Sequence, residues 1–172
     1  MLQNVLRRHL DTACMLAQHH LHSLSTEECL WQPTPVGPHV RRGAQGRWLA
    51  DWPDSEDYRA GAPSIGWLTW HIIYWWSMVL DQSFGEGRLT KDDVEWPGDA
   101  RSVVKLIKQL EGEWRANLER LSLDDLQSDR LTHWPFEGRP FADVAAWVAL
   151  ELTKNAAEIG YARFLYAARA GP

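Results

Sequence analysis

Apolar positions recur every three or four residues through four long stretches of this chain, and nowhere do apolar and polar residues alternate long enough to predict a strand pair. The first stretch, about Leu2 to Ser25, puts Leu2, Val5, Leu6, His9, Ala13, Leu16, Ala17, His20 and Leu24 on one helical face. Ser25-Thr-Glu-Glu28 reads as a capping box that opens a short turn through Cys29 and Leu30, stopped by Pro33 and Pro35. A second helix is predicted from Pro63-Ser64 through Leu80 to about Phe84; being apolar nearly all round, it should be buried. Asp99 caps a third, whose Val103, Leu106, Ile107, Leu110, Trp114, Leu118 and Leu121 form one stripe opposite a charged face. The last begins near Pro140, which suits a first turn, and runs to about Ala168. Between these, Gly37 to Ala62 carries no sustained period and reads as a long surface loop, and Ser122 to Arg139 as a polar connection with a turn or short hairpin. The expected architecture is all-α: an antiparallel four-helix bundle in a single domain over residues 1–172, with 37–62 inserted as a loop between the first and second long helices.

A polar line interrupts the last helix. At about 100° per residue, Val144, Trp147, Glu151, Asn155, Glu158, Ala162 and Leu165 share one narrow face. A stripe that opens with Val and Trp and closes with Ala and Leu should face the core, where a carboxylate is costly unless it is paired, hydrogen-bonded or bound to a cation. Bundles build chemistry from facing helices. The second helix offers His71, set among Trp67, Trp70, Ile72, Ile73, Trp75 and Trp76. Taken alone, a histidine on such a face is more often a hydrogen-bonded core residue than a ligand. Beside Glu158 it gains three options: a direct pair, a shared divalent cation, or activation of a water. His20, on the core face of the first helix, is a further polar group for the same cavity. His19 and His22 read as surface residues, and His133 as a loop contact.

Composition narrows the partners. A formal net charge of -5 and a pI near 5.8 leave no basic surplus for nucleic acid or an anionic membrane. The most apolar run, Ile65 to Leu80, is short for a bilayer and crowded with Trp, and the first helix lacks the apolar block of a signal peptide. Cys14 and Cys29 form no CxxC, which favours a reduced, cytoplasmic protein. The eleven tryptophans exceed what one four-helix core needs, so a homodimer is expected. The cluster Trp67, Trp70, Trp75 and Trp76 reads as bulky filling between long helices rather than a base-stacking platform, since it lacks adjacent Lys or Arg.

The order Leu30-Trp31-Gln-Pro33, then Ser64-Ile-Gly-Trp67-Leu-Thr-Trp-His71, a charged third helix, and Glu151-Leu-Thr-Lys-Asn155-Ala-Ala-Glu158-Ile-Gly160-Tyr-Ala-Arg163 resembles the DinB-like superfamily over nearly the whole chain. That superfamily includes metal-dependent thiol transferases using bacillithiol or related thiols, and a mycothiol-dependent maleylpyruvate isomerase. The resemblance implies a small-molecule cavity, a low-molecular-weight thiol and a divalent metal, zinc or nickel. It also implies a ligand histidine in the second helix, matched by His71, and two ligands four residues apart in the fourth, the second lying two positions before a glycine. Counting back from Gly160 places Glu158 at the third ligand position and Lys154 at the second. A protonated lysine is no ligand. Either Asn155 or Glu151 replaces it, or Lys154 occupies the cation's place and leaves a metal-free network of His71, Lys154 and Glu158. Two functions follow from these alternatives. One is an enzyme in which His71 and Glu158 are catalytic and hold a metal that lowers a thiol's pKa; the other is a non-catalytic small-molecule or interaction module with a degenerate site.

Overall fold

Helix caps and apolar stripes set the element order. The computed structural model describes residues 1–53 and 57–169; part of the inserted segment 37–62 and the last three residues of the expected domain lie outside the described residues. Four long helices carry the core: α1 (Leu2–Leu21), α3 (Ile65–Phe84), α4 (Ala100–Arg120) and α6 (Phe141–Ala168), with short helices α2 (Thr26–Leu30) and α5 (Leu123–Gln127) between them. Ser25 and Glu28 form the expected reciprocal capping box on α2. Ser64 caps α3 through the Trp67 N–H, and Asp99 caps α4 through the Ser102 N–H. Pro140 stands at the N-cap of α6, one position ahead of the first turn.

The core lies where the periodicity predicts it. α1 packs on α6, α6 on α3 and α3 on α4. Trp70, Trp75, Trp76, Trp96 and Trp114 are all essentially inaccessible to solvent, so tryptophan does supply much of the filling. Gly66 lets α3 approach its neighbours, since a Cβ there would lie 2.6 Å from Val40 Cγ2 and 2.8 Å from the Cys29 carbonyl oxygen. His9, expected on the inner face of α1, is exposed.

Residues 37–62 are not a plain surface loop. They contain an antiparallel hairpin, β1 (Val40–Arg42) and β2 (Trp48–Ala50), in the register Val40↔Ala50, Arg41↔Leu49 and Arg42↔Trp48, followed by a 3₁₀ turn at Tyr58–Ala60. Three-residue strands are too short to show an alternation in sequence. What holds them is tertiary: Val40 is fully buried, and Trp48 stands edge-on to Trp96, their centroids 4.9 Å apart. Among the described residues, 122–139 holds α5 and turns and no hairpin.

One arginine ties three elements together. Arg163 on α6 donates Nε to Glu28 Oε1 at 2.7 Å and Nη1 to the carbonyls of His20 and His22 at 2.8 and 2.9 Å. It thus caps the C-terminal end of α1 and pairs a buried carboxylate of α2. Burial works to raise the pKa of Glu28, but the Ser25 N–H and Arg163 outweigh it, and the net shift is downward. Truncation, Arg163→Ala, should cost about 2–4 kcal/mol by stranding Glu28 and two helix-end carbonyls, read as a lower urea midpoint with an unchanged m-value.

Candidate functional site

The centre of the site is a buried amide. Asn155 lies on the α3-facing side of α6 and is 1% exposed. Its Oδ1 accepts from Trp75 Nε1 at 3.0 Å and contacts His71 Nδ1 at 3.2 Å, and its Nδ2 donates to Glu158 Oε2 at 3.0 Å. An indole N–H can only donate and a carboxylate accepts, so these two neighbours fix which way the amide points. His71 Nδ1–H therefore donates to Asn155 Oδ1. His71 and Trp75 are four residues apart on α3, which is why both reach the same oxygen.

Aromatic rings orient the imidazole. Trp67 stacks on His71 with centroids 4.9 Å apart and an interplanar angle of 8°, and its own Nε1 donates to the Asp51 carbonyl at 2.6 Å. The hairpin segment thereby fixes the ring that fixes His71. Edge contacts run on from Tyr74 to Trp134, from Trp134 to Trp147 and from Trp147 to Trp75. Burial raises the Tyr74 pKa, so its phenol stays protonated.

The structure joins His71, Asn155 and Glu158 through one amide and places the other expected residues differently. Glu158, expected inside, is solvent-exposed while its Oε2 reaches inward to Asn155. Lys154 is exposed too, and its Nζ pairs with Glu151 Oε2 at 2.9 Å. It neither enters the core nor takes a cation's place beside Glu158, because its Cα sits one step round the helix toward solvent from Asn155. Glu151 is half-buried and engaged with that lysine. His20 packs against Gly160, where a Cβ would lie 2.5 Å from the imidazole, and stands edge-on to His19. Cys14 and Cys29 are buried, and burial above all pushes both thiols up to about 12, which keeps them protonated. Sequence reasoning missed the roles of Trp75 and Asp51. The first was visible as a neighbour of His71 on the same face; the second depends on the hairpin.

The family model of the DinB superfamily matches residues 9–159, a span that includes His71, Asn155 and Glu158. The chain belongs to the DinB superfamily. No curated protein and no solved structure matches it. No helix among the described residues is long and apolar enough to cross a membrane.

DinB membership raises the question of a metal, and the donor set answers poorly. The three positions carry His71, Lys154 and Glu158, and the lysine is tied to Glu151. Asn155 is a poor substitute because both lone-pair directions of Oδ1 are taken by N–H donors, and rotating it away would strand the buried Trp75 indole. Among the described residues, no three His, Cys, Asp or Glu side chains come together as a metal site. The residues present do not reproduce the ligand set that the superfamily resemblance implies.

Replacing Asn155 by Ala should destabilise the fold by about 2–4 kcal/mol, since it leaves the Trp75 N–H unpaired and opens a small cavity. Lys154→Ala, which removes an exposed pair, should cost less than about 0.5 kcal/mol; paired urea titrations check both.

Histidine burial also predicts a pH dependence. Burial, then His19 and Arg163, hold the His20 pKa below its ordinary value, and burial does the same for His39, whose Nδ1 contacts Ser64 Oγ at 2.8 Å. Each takes up a proton more readily unfolded than folded. Their contribution is complete above the ordinary value of 6.5 and is lost as pH falls below it. Urea midpoints should fall between about pH 7.5 and about pH 5.5, and His20→Gln should flatten that slope.

Proposed function

We propose that this DinB protein is a cytoplasmic, single-domain, antiparallel four-helix bundle. Its α3–α6 face acts on a small molecule, a low-molecular-weight thiol or its electrophilic partner, without a resident metal. The observation that carries the reading is the doubly engaged Oδ1 of Asn155, which orients His71 and has no lone-pair direction left for a metal. In that state His71 is a general base. The imidazole takes the S–H proton of a thiol, the sulfur keeps the electron pair and bonds to the electrophile, and the leaving group departs with the pair from the bond it breaks. The imidazolium so formed still donates Nδ1–H to Asn155, and Glu158, hydrogen-bonded to the other side of that amide, supplies compensating negative charge. Nucleic acid is not a partner on this reading, given the net charge of -5.

A second reading, a binding module without turnover, is favoured by the exposed Lys154, at the second expected ligand position, pairing with Glu151 of the polar line. Elemental analysis of protein purified without added metal, combined with turnover of glutathione or another small thiol on an aryl halide, separates the possibilities. The expected result is substoichiometric metal and turnover that His71→Ala reduces by about 100-fold or more. One equivalent of zinc or nickel, released by His71→Ala and by Glu158→Ala, would overturn the metal-free site. Thiol binding without turnover would establish the module instead.

A further inference from the structure

Two of the long helices stand apart. α1 packs on α6 and α4 on α3, whereas α1 and α4 are joined chiefly by side chains: Arg115 of α4 pairs with Asp11 of α1, and Gln3 Nε2 donates to the carbonyls of Leu118 and Leu121. A cavity of about 220 Å³ runs inward between them. Ala17 and Leu21 of α1 and Val104 and Ile107 of α4 form its sides, and the buried Trp76 of α3 and Leu152 of α6 its floor. All four long helices contribute, a common setting for a small-molecule site in a bundle. The lining includes none of His71, Asn155 and Glu158.

Two observations say what fills it. Trp76 is fully buried, and among the described residues its Nε1–H meets no acceptor. An unpaired buried donor is costly, and a molecule that brings an acceptor to the floor removes that cost. One water takes up only about 30 Å³, so the space calls for something larger. The second observation concerns charge. Cys14 lines the same cavity, and burial above all pushes its thiol up to about 12, so an anion is disfavoured there. A cation finds the lining carboxylate, Glu111, already held by Arg115 Nε at 2.9 Å. Gln18, His22 and Lys108 are exposed at the rim and keep their polar groups in water.

We propose that this cavity binds an uncharged molecule of about ten non-hydrogen atoms, an aromatic or branched aliphatic body with one carbonyl-type acceptor that takes the Trp76 indole N–H. The body replaces water against Leu21, Val104, Ile107 and Leu152, and the acceptor sets its orientation. A wholly apolar molecule of the same shape leaves the indole unpaired, and that difference is the signature of the site. The cavity is separate from the Asn155 site, and its occupancy does not depend on whether His71 is catalytic.

Acetophenone and its isostere isopropenylbenzene, which carries a methylene in place of the carbonyl oxygen, test this on the full chain. Nuclear magnetic resonance titration should show saturable binding of acetophenone. The Trp76 indole N–H should move downfield, and the methyl signals of Val104, Ile107 and Leu152 should move with it. Isopropenylbenzene should shift the methyls without the downfield indole shift. Trp76→Phe, which keeps an aromatic floor and removes the donor, should weaken acetophenone by about 10-fold and isopropenylbenzene by less than about 2-fold. If that variant does not fold, the wild-type spectra decide alone. No saturable binding of acetophenone overturns the proposal. So do shifts centred on His71 and Trp67, an indole N–H that does not respond, or equal losses of the two compounds in Trp76→Phe.

Discussion

The arrangement of this molecule turns on a polar group in an unfavourable place. A side-chain amide brings two donor hydrogens and two acceptor directions into a core otherwise filled by tryptophan, and each left unmatched costs on the order of 1–3 kcal/mol. Asn155 meets three of those four demands, with Trp75 and His71 on its oxygen and Glu158 on one amide hydrogen. The pairing is directional, so it fixes the rotation of α3 relative to α6 more tightly than apolar contact alone would. It also explains the contradictory look of the polar line in α6. Asn155 is the inside member, while Glu151 and Glu158 lean outward on either side of it and keep their charges in reach of water.

The same economy governs the other indoles. Trp67 donates to the Asp51 carbonyl, Trp70 to the Val94 carbonyl at 2.8 Å and Trp96 to Thr69 Oγ1 at 3.1 Å. Each bond runs between α3 and a connecting segment on either side of it in sequence. Tryptophan here is both filler and fastener: the ring excludes water, and the single N–H pins a stretch of chain that has no helix of its own. Surplus tryptophan is thereby accounted for within one chain to a larger extent than the composition suggests. Trp76 and Trp114 are exceptions: among the described residues, their buried N–H groups have no hydrogen-bond partner, and for Trp114 nothing in its surroundings explains that cost.

Helices with one-sided stripes and side-chain caps were readable directly, as Ser25, Ser64 and Asp99 show, because capping and periodicity are local properties. The hairpin at Val40–Arg42 and Trp48–Ala50 was not, since its stability resides in contacts with Trp96 and Gly66 far along the chain. The candidate site divides the same way. The shared face of His71 and Trp75 and the opposing Asn155 follow from helical spacing. That Glu158 faces solvent and that Lys154 chooses Glu151 over the core depend on how far α6 is rotated, and a rotation of a few tens of degrees is beyond a pattern of apolar residues.

The embrace of α1 by Arg163 bears on how the chain reaches its fold as well as on what holds it. The first helix finds its main packing partner in the last, and the guanidinium that closes its end lies 143 residues away from His20. Local order can come early in α1, but its apolar face has no cover until nearly the whole chain has left the ribosome. During that interval Leu6, Leu10, Ala13 and Ala17 are open to other proteins. A nascent chain of this topology carries apolar surface on α1 from its emergence until α6 follows, and a chaperone at the exit meets it in that interval.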